Sequence, residues 1–165
     1  MKRTIRVTLD PKSIDKAIRE LMQYEDWLLA KCDELAVRLA QMGAVNVTLG
    51  YASTPYTGDK DVSVTVEDHE NGRAAIVATG RTVLFLEFGA GVTYGYGHPQ
   101  AGEFGYGPTT YPGQKHAADP KGWWFRDGDG LHHTYGNPPG AVMYQTAQEL
   151  RDRIEEVARE VFSHD

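Results

Sequence analysis

The sequence predicts an α+β protein: a mostly antiparallel sheet packed by a long N-terminal helix and a C-terminal helix, with a long Gly/Tyr-rich loop insertion. Apolar residues recur with helical spacing near both ends of the chain, and alternate with polar residues in several short segments between them. The stretch from Phe85 to Trp124 follows neither pattern, although it holds 9 of the 18 glycines and four of the nine tyrosines. Because 165 residues suit one domain, we expect residues 1–165 to form a single domain with the loop insertion at residues 89–122.

The N-terminal part predicts a short strand and then a long helix. Apolar and polar residues alternate over residues 4–9, as in a strand with one buried face. Asp10 and Pro11 then supply an N-cap and a proline at the first helical position. Spacings of four and three residues predict a helix of about 30 residues that ends at residues 42–43 and packs across the sheet. Its apolar positions are Ile14, Ile18, Leu21, Leu28, Cys32, Leu35 and Leu39, with Glu25 in the one slot that the pattern skips.

Strands are predicted in the middle of the chain. Alternation predicts one strand at residues 45–51 and another at residues 62–66. The sequence Glu-Asn-Gly then turns the chain into residues 73–80, which completes a predicted hairpin. Residues 83–88 are apolar apart from one glutamate, and their length leaves both a buried strand and a helical turn open.

The C-terminal part predicts a second hairpin and a final helix. Residues 122–127 and residues 131–135 flank the turn sequence Gly-Asp-Gly. Asn137 and Pro138 repeat the combination of N-cap and proline before a second helical pattern. The apolar positions of this pattern are Met143, Ala147, Leu150, Ile154, Val157 and Val161.

The composition argues against several function classes. A net charge of -6 without a Lys/Arg cluster argues against a basic patch for nucleic acid. The single cysteine, Cys32, allows neither an intrachain disulfide nor a Cys-based zinc site. No run approaches the roughly 18 apolar residues of a membrane span, and the first residues lack the apolar core of a secretory signal. We therefore expect a protein made in the cytoplasm, with no membrane partner and no sequence-specific nucleic-acid binding.

Motifs for cofactor binding or covalent catalysis are not recognisable. The glycine clusters at residues 89–91 and residues 95–97 lack the third glycine of a dinucleotide fingerprint, and no Lys-Ser or Lys-Thr pair closes a P-loop. Cys32 falls in the apolar stripe of the long helix, where a small buried hydrophobe is its default role. Glu87 leaves two interpretations: a catalytic base, or a group that bonds local backbone N–H groups or a charge from a neighbouring chain. We favour the second interpretation, and the sequence predicts no enzyme activity, no catalytic residue and no cofactor.

Several histidines and aspartates raise the question of a metal site. Residues 127–130 resemble the start of a calcium loop, but Leu131 stands where the third oxygen ligand belongs. His132 and His133 are adjacent, so on a strand they point to opposite faces. A tight turn is the favoured interpretation, and no metal site is predicted. The alternative from another class is a small metal-dependent hydrolase that uses His98, His116, His133 and Asp129.

The insertion is best explained as a surface that contacts another protein. Disordered linkers are depleted in aromatic residues, whereas tyrosine is enriched at protein contacts because it offers apolar area with a polar tip. An irregular stretch of this length is uncommon in a compact domain unless it has a function. The predicted subunit or partner interface consists of Glu87, Phe88, Gly89, Gly91, Tyr94, Tyr96, His98, Phe104, Tyr106, Tyr111, Trp123 and Trp124.

Three motifs follow one another in a fixed order along the chain: FLEFGAG, then GWWFRD, then HHTYGNPPG before the final amphipathic helix. In this order they resemble the tail-completion and tail-terminator neck proteins of long-tailed bacteriophages, and the resemblance covers nearly the whole chain. One departure is that many relatives have Pro-Phe directly before the last helix, where this chain has Pro139-Gly140-Ala141. The matching residues are Glu87, Phe88, Gly89, Gly91, Trp123, Trp124, His133, Gly136, Pro138, Pro139, Met143 and Ala147.

The resemblance implies a structural virion protein of the neck that assembles as a ring, typically a hexamer, in the cytoplasm of the bacterial host. Its partners would be the tail tube protein and the head-side connector or closure protein, and DNA would pass through its channel. The acidic balance suits such a channel, because DNA must slide through it without sticking. A head-closure or adaptor ring, a minor tail component, and an adaptor module that binds a host protein are the alternatives.

Overall fold

The computed structural model describes residues 4–56, 58–91, 97–106 and 118–163. Helices and antiparallel strands are both present, which confirms the α+β prediction. In chain order the elements are α1 (Pro11–Ser53), β1 (Ser63–Asp68), β2 (Ala74–Thr79), α2 (Val83–Phe88), β3 (Trp123–Asp127), β4 (Gly130–Thr134) and α3 (Val142–Ser163).

Helix α1 begins where the sequence predicts and ends later than predicted. The Asp10 side chain accepts a hydrogen bond from the backbone N–H of Ser13 at 3.0 Å, and Pro11 is the first helical residue. The helix then continues for 43 residues, so the predicted strand at residues 45–51 is wrong. Val47 and Tyr51, four residues apart, enter the core on one side of the helix. This tertiary packing outweighs the strand preference of the β-branched residues.

The predicted helix end at residues 42–43 is wrong because Gly43 serves packing rather than termination. A Cβ atom at Gly43 would overlap Ile76 and would lie 2.8 Å from Cδ1 of Leu150. The glycine therefore lets β2 and α3 approach the middle of α1 closely. The predicted strand at residues 4–9 is also wrong, since these residues form no strand and Leu9 is fully exposed.

Both predicted hairpins are confirmed. Strands β1 and β2 pair antiparallel, and the turn residues Glu70, Asn71 and Gly72 have φ angles of 55°, 52° and 71°. Asn and Gly tolerate this left-handed region better than other residues. Strands β3 and β4 pair antiparallel around the two-residue turn Gly128-Asp129. The hairpins are two separate two-stranded sheets, because the segments that would have extended them are helical or irregular.

Residues 83–88, for which the sequence leaves both a strand and a helical turn open, form the short helix α2. A carboxylate from an earlier part of the chain bonds its N-cap residue, Thr82. The Asp61 carboxylate accepts hydrogen bonds from the backbone N–H and the hydroxyl of Thr82, at 3.0 and 2.8 Å. Leu86 of α2 is fully buried and joins the core with Val47, Tyr51 and Val142.

Helix α3 lies antiparallel along the second half of α1. Val142 packs at Gly50, Leu150 packs at Gly43, and Glu160 pairs with Arg38. The predicted N-cap at Asn137 is wrong. The Asn137 side chain donates instead to the carbonyl of Phe85 at 2.8 Å, and the helix begins five residues later.

Candidate functional site

The Glu87 carboxylate lies at the centre of the site, at the end of α2, and its residue is only 5% exposed. Four donors from different parts of the chain converge on its two oxygens. Oε2 accepts from the Tyr51 hydroxyl and the Met143 backbone N–H, both at 3.0 Å. Oε1 accepts from Nε2 of His98 at 3.1 Å and from the Tyr144 backbone N–H at 3.2 Å. The carboxylate thus joins α1, α2, α3 and the segment at residues 97–106.

Two of these donors are backbone N–H groups in the first turn of α3, so Glu87 caps this helix. The first N–H groups of any helix lack partners within the helix, and the positive end of its dipole stabilises a negative charge. The residue before α3 is Ala141, which has no side-chain acceptor of its own. Of the two interpretations of Glu87, the geometry therefore favours the one in which it bonds backbone N–H groups.

The hydrogen bonds of His98 identify its tautomer. The backbone N–H of Gln100 donates to Nδ1 at 3.1 Å, so Nδ1 carries no proton. Nε2 must then carry the proton that is donated to Glu87. His98 is therefore a neutral ring, buried to 5% exposure, that spans from the insertion to the core.

Tyr51 is held in its protonated form. Burial, and then the charge and hydrogen bond of Glu87, raise the pKa of the Tyr51 hydroxyl far above its usual range. The hydroxyl therefore remains a donor to the carboxylate over the whole working pH range.

An aromatic cluster covers the outer side of this network. The Phe88 ring lies 4.3 Å from the ring of His98, 4.5 Å from Tyr106 and 5.7 Å from Phe104, measured between centroids. Phe104 is 56% exposed, so the cluster reaches from the core to the surface. A cavity of about 380 Å³ lies beside it and is lined in part by Tyr51, Glu87, Phe88, His98, Phe104 and Tyr106.

The glycines of the Glu87–Gly91 turn allow close contact with the chain before α3. Gly89 has a φ of 76°, and a Cβ atom there would lie 2.7 Å from the carbonyl oxygen of Asn137. Gly91 has a φ of 84°, and a Cβ atom there would overlap the carbonyl oxygen of Tyr135. Between them, Ala90 exchanges two backbone hydrogen bonds with Asn137, at 2.9 and 3.1 Å. We call residues 85–91 and 135–144 together the Glu87 unit.

The tryptophans of the predicted interface lie on the second hairpin, apart from the Glu87 carboxylate. Trp124 is 64% exposed, and its ring lies 4.9 Å from that of His133, its cross-strand partner. Trp123, on the opposite face, lines a cleft of about 770 Å³ between the hairpin and the Glu87 unit. Tyr94, Tyr96 and Tyr111 lie outside the described residues, so the structure brings together Glu87, Phe88, Gly89, Gly91, His98, Phe104 and Tyr106 of the predicted set.

Two histidines of the alternative metal site have other partners. His98 bonds Glu87, and Nε2 of His133 lies 2.9 Å from the carbonyl oxygen of Lys121. Within the described ranges, no group of three or more His, Cys, Asp or Glu side chains is arranged to hold a metal ion. His116 lies outside the described residues.

Among the helices of the described part, none is long and apolar enough to cross a membrane.

Sequence reasoning singled out Glu87 and placed His98 in the same interface, but it missed the hydrogen bonds that the carboxylate accepts. Tyr51, His98, Met143 and Tyr144 lie 36, 11, 56 and 57 residues away along the chain. Tyr51 was assigned to a strand, and backbone N–H groups leave no trace in the side-chain pattern.

Comparison with family models, with curated proteins and with solved structures gave no match.

Proposed function

We propose that this chain is a structural subunit of the neck of a long-tailed bacteriophage, of the tail-completion or tail-terminator class. In this role copies of the chain form a ring that ends the tail and joins it to the head. The observation that carries the proposal is the Glu87 unit. The first and the third motif of the resemblance, FLEFGAG and HHTYGNPPG, pack on each other through Gly89, Gly91 and Asn137.

The ends of the insertion support a role in presenting a contact surface. Gly91, near its start, packs against the carbonyl of Tyr135, and Gly122, at its end, packs against the carbonyl of Thr134. The insertion thus leaves and returns at neighbouring points of one backbone segment, as in compact surface loops that carry function. This arrangement fixes the two ends of the insertion next to each other, as a loop that presents a surface to a partner protein requires.

Exposed aromatic side chains near the insertion support the same role. Phe104 and Trp124 are both more than half exposed, as is Tyr135 beside His133. Aromatic residues are enriched at the centres of protein interfaces, where they bury large areas at low entropic cost. In the proposed assembly these side chains contact a neighbouring subunit, the tail tube protein or the head-side connector.

The net charge of -6 fits a component that surrounds DNA without binding it. Acidic residues repel phosphates, so a ring with this balance lets the genome pass. The proposed location is therefore the neck of the virion, reached after assembly in the cytoplasm of the bacterial host. A head-closure or adaptor ring, or a minor tail component, differs from this proposal in its partner and not in its chemistry.

Electron microscopy of negatively stained protein tests the proposal. We expect closed rings of uniform size, and rings at one end of tail tubes from the phage that encodes the chain. A variant that lacks residues 95–111 should leave tails uncapped and heads unjoined, whereas Gly128→Ala, at the tip of the second hairpin, should not. Unchanged tail length and head joining in the deletion variant would reject the proposal. Stoichiometric zinc or manganese in protein purified without a His tag would favour the hydrolase instead.

A further inference from the structure

Residues 4–9, which we call the leading segment, have the sequence of a strand but no strand partner in their own chain. Thr-Ile-Arg-Val-Thr-Leu alternates polar and apolar residues and is rich in β-branched side chains, which favour strands. Within the described part of the chain, residues 4–7 make no backbone-to-backbone hydrogen bond. Val7 is 53% exposed and Leu9 is fully exposed. The backbone and the apolar side of the leading segment are therefore both open to a partner.

Strand β1 also lacks a partner on one side. It pairs with β2, and no other described strand lies beside it. At the end of this ladder the backbone N–H of His69 donates to the carbonyl of Arg73 at 3.0 Å. Bonded and non-bonded pairs alternate along an antiparallel ladder, so the backbone groups of Val64, Val66 and Asp68 point away from β2. We call these groups the free edge, and no described backbone group bonds them across it.

The free edge lacks several features that usually prevent the addition of a strand. Exposed edges in soluble proteins often carry lysine, proline or a β-bulge. The sequence of β1, Ser-Val-Thr-Val-Glu-Asp, contains neither lysine nor proline. Its register with β2 runs through six consecutive pairs without a bulge. Its acidic end repels an acidic strand and attracts a basic one, so the edge is selective rather than closed.

We propose that the leading segment of one copy of this chain pairs with the free edge of β1 in a second copy. The first hairpin thereby becomes a three-stranded sheet, and main-chain hydrogen bonds supply much of the affinity. The side-chain faces match. Ile5, Val7 and Leu9 share one face of the leading segment, while Val64 and Val66 share the half-buried face of β1.

The leading segment cannot reach the free edge of its own chain. The tip of the first hairpin lies at Asp33 of α1, whose carboxylate accepts from the backbone N–H of Gly72. Asp33 is about 33 Å along the helix from Pro11. Six extended residues span only about 20 Å. A second copy therefore has to supply the edge.

Charge complementarity supports this occupant. Residues 2–9 contain three basic side chains and no acidic one, and the next acidic residue, Asp10, is engaged as the N-cap of α1. Strand β1 ends in Glu67 and Asp68 and contains no basic residue. The turn that follows adds one charge of each sign, Glu70 and Arg73. Among the described strands, only β1 has a net charge, so the basic segment favours this edge over the others.

The charges also select an antiparallel orientation, in which the basic start of the leading segment lies beside the acidic end of β1. With Val7 opposite Val66, Arg6 lies opposite Glu67, whose side chain is 52% exposed. Opposite charges on facing cross-strand residues stabilise a sheet. In this register Val7 forms a bonded pair with Val66, because the backbone groups of Val66 belong to the free edge.

The contact is heterologous, since different surfaces of the two copies meet. Repeated contacts of this type produce a closed ring or an open filament, rather than a two-fold dimer. The inference rests on the ring-forming part of the proposed function and names the surfaces that would form the ring. It is tested on the purified chain, without phage components.

Proline substitutions test the pairing by sedimentation velocity. Val7→Pro removes an N–H group that the proposed register directs at Val66, whereas the N–H group of Thr4 points away from β1. Thr4→Pro is therefore the matched control. Neither residue lies in a helix or strand of its own chain, so both variants should fold, and circular dichroism checks this.

We expect the wild-type chain and Thr4→Pro to form assemblies, and Val7→Pro to remain monomeric at the same concentration. Assembly of Val7→Pro at the wild-type level would overturn the inference. A monomeric wild-type chain would also overturn it.

Exchange of charges tests the partner and the orientation. Arg6→Glu and Glu67→Arg should each weaken association by roughly two- to fivefold, because like charges then face each other. An equimolar mixture of the two variants should restore the wild-type level, since every contact between unlike copies pairs opposite charges. Arg151→Glu, at an exposed position of α3, makes the same change of charge and should have no effect. A mixture that associates no better than the single variants would contradict the proposed contact.

Disulfide trapping gives a third test, in chains that carry Cys32→Ser. Under mild oxidation, a mixture of Arg6→Cys and Glu67→Cys chains should form linked dimers, whereas Arg6→Cys mixed with Thr79→Cys, on β2, should not. Linked dimers of Arg6→Cys alone would place segment against segment and contradict the proposal. Rings that assemble through this contact but never bind tail tubes would reject the proposed function alone. Rings that persist with Val7→Pro would reject the contact alone.

Discussion

The hydroxyl of Tyr51 donates a hydrogen bond to the Glu87 carboxylate across 3.0 Å, and both residues are buried. A hydrogen bond between a neutral donor and a charged acceptor is stronger than one between two neutral groups. Removing this hydrogen bond would leave the buried charge of Glu87 short of a partner, and that loss costs free energy of folding. The Glu87 network is therefore expected to control how firmly α1, α2 and α3 are held together.

Glu87→Gln should destabilise the protein by roughly 2–4 kcal/mol, because the amide nitrogen cannot accept from the donors that it faces and the charge at the α3 terminus is lost. Urea denaturation followed by circular dichroism measures the change. Glu103→Gln is the control, since Glu103 is exposed and accepts a bond from the Gln100 side chain. Equal stability of the two variants would show that the carboxylate is not the cap described here.

Tyr51→Phe should cost about 1.5–3 kcal/mol, because it removes one donor to a buried charge while keeping the ring in the core. The matched control is Tyr135→Phe, whose side chain is 58% exposed and should change stability little. In a double-mutant cycle, Tyr51→Phe and Glu87→Gln should show a coupling energy above ~0.5 kcal/mol. Strict additivity would mean that the two side chains do not interact.

The Asp61 carboxylate should make the free energy of unfolding depend on pH in the acid range. Hydrogen bonds from Arg81, and then from Thr82, hold the pKa of Asp61 well below its ordinary value of 3.8. Its contribution is therefore fully present above pH 3.8 and is lost as the pH falls towards the lower pKa of the folded state. The stability difference between wild type and Asp61→Asn should accordingly be constant near neutral pH and shrink in acid.

Urea denaturation of both proteins between pH 7 and pH 2 checks this dependence. Asp59→Asn is the control, because the Asp59 side chain is 83% exposed and lies 3.8 Å from Arg81. A difference that grows in acid, or an Asp59→Asn profile that matches that of Asp61→Asn, would contradict the assignment.

Gly91→Ala should destabilise the Glu87 unit by roughly 1–3 kcal/mol, the usual cost of holding an ordinary residue in a conformation that favours glycine. The φ of 84° and the nearby carbonyl of Tyr135 both oppose a side chain. Gly102→Ala is the control, since a Cβ atom there meets nothing within 4 Å. Thermal unfolding compares the two, and an unchanged midpoint for Gly91→Ala would argue against the close contact.

Much of the local structure could be predicted from the sequence because it depends on a few neighbouring residues. Asp10 and Pro11 mark the start of α1, and Asn71-Gly72 and the Gly-Asp-Gly sequence mark the two hairpins. These signals work through the φ angles and the hydrogen bonds of adjacent groups, so distant parts of the chain do not alter them. The helical periodicity of α3 was equally visible, although its predicted cap was wrong.

The candidate site could be predicted only in part. The sequence singled out Glu87 as a carboxylate among apolar residues, and its interface role stays a prediction. It did not identify Tyr51 as a partner, because Val47 and Tyr51 match both a strand period of two and a helix period near four. The helical period applies because Leu86 and Val142, from distant parts of the chain, pack against Val47 and Tyr51 in the core.

The sequence by itself determined the class of the fold, the hairpin turns, the start of the first helix and the apolar stripes. Only the tertiary structure decided where α1 ends, which carboxylates cap α2 and α3, and which part of the apolar stripe is left uncovered. The physical reason is that turns and periodicity depend on local backbone geometry. Burial, by contrast, depends on contacts such as those of Gly43 with Ile76 and Leu150, whose partners are far apart along the chain.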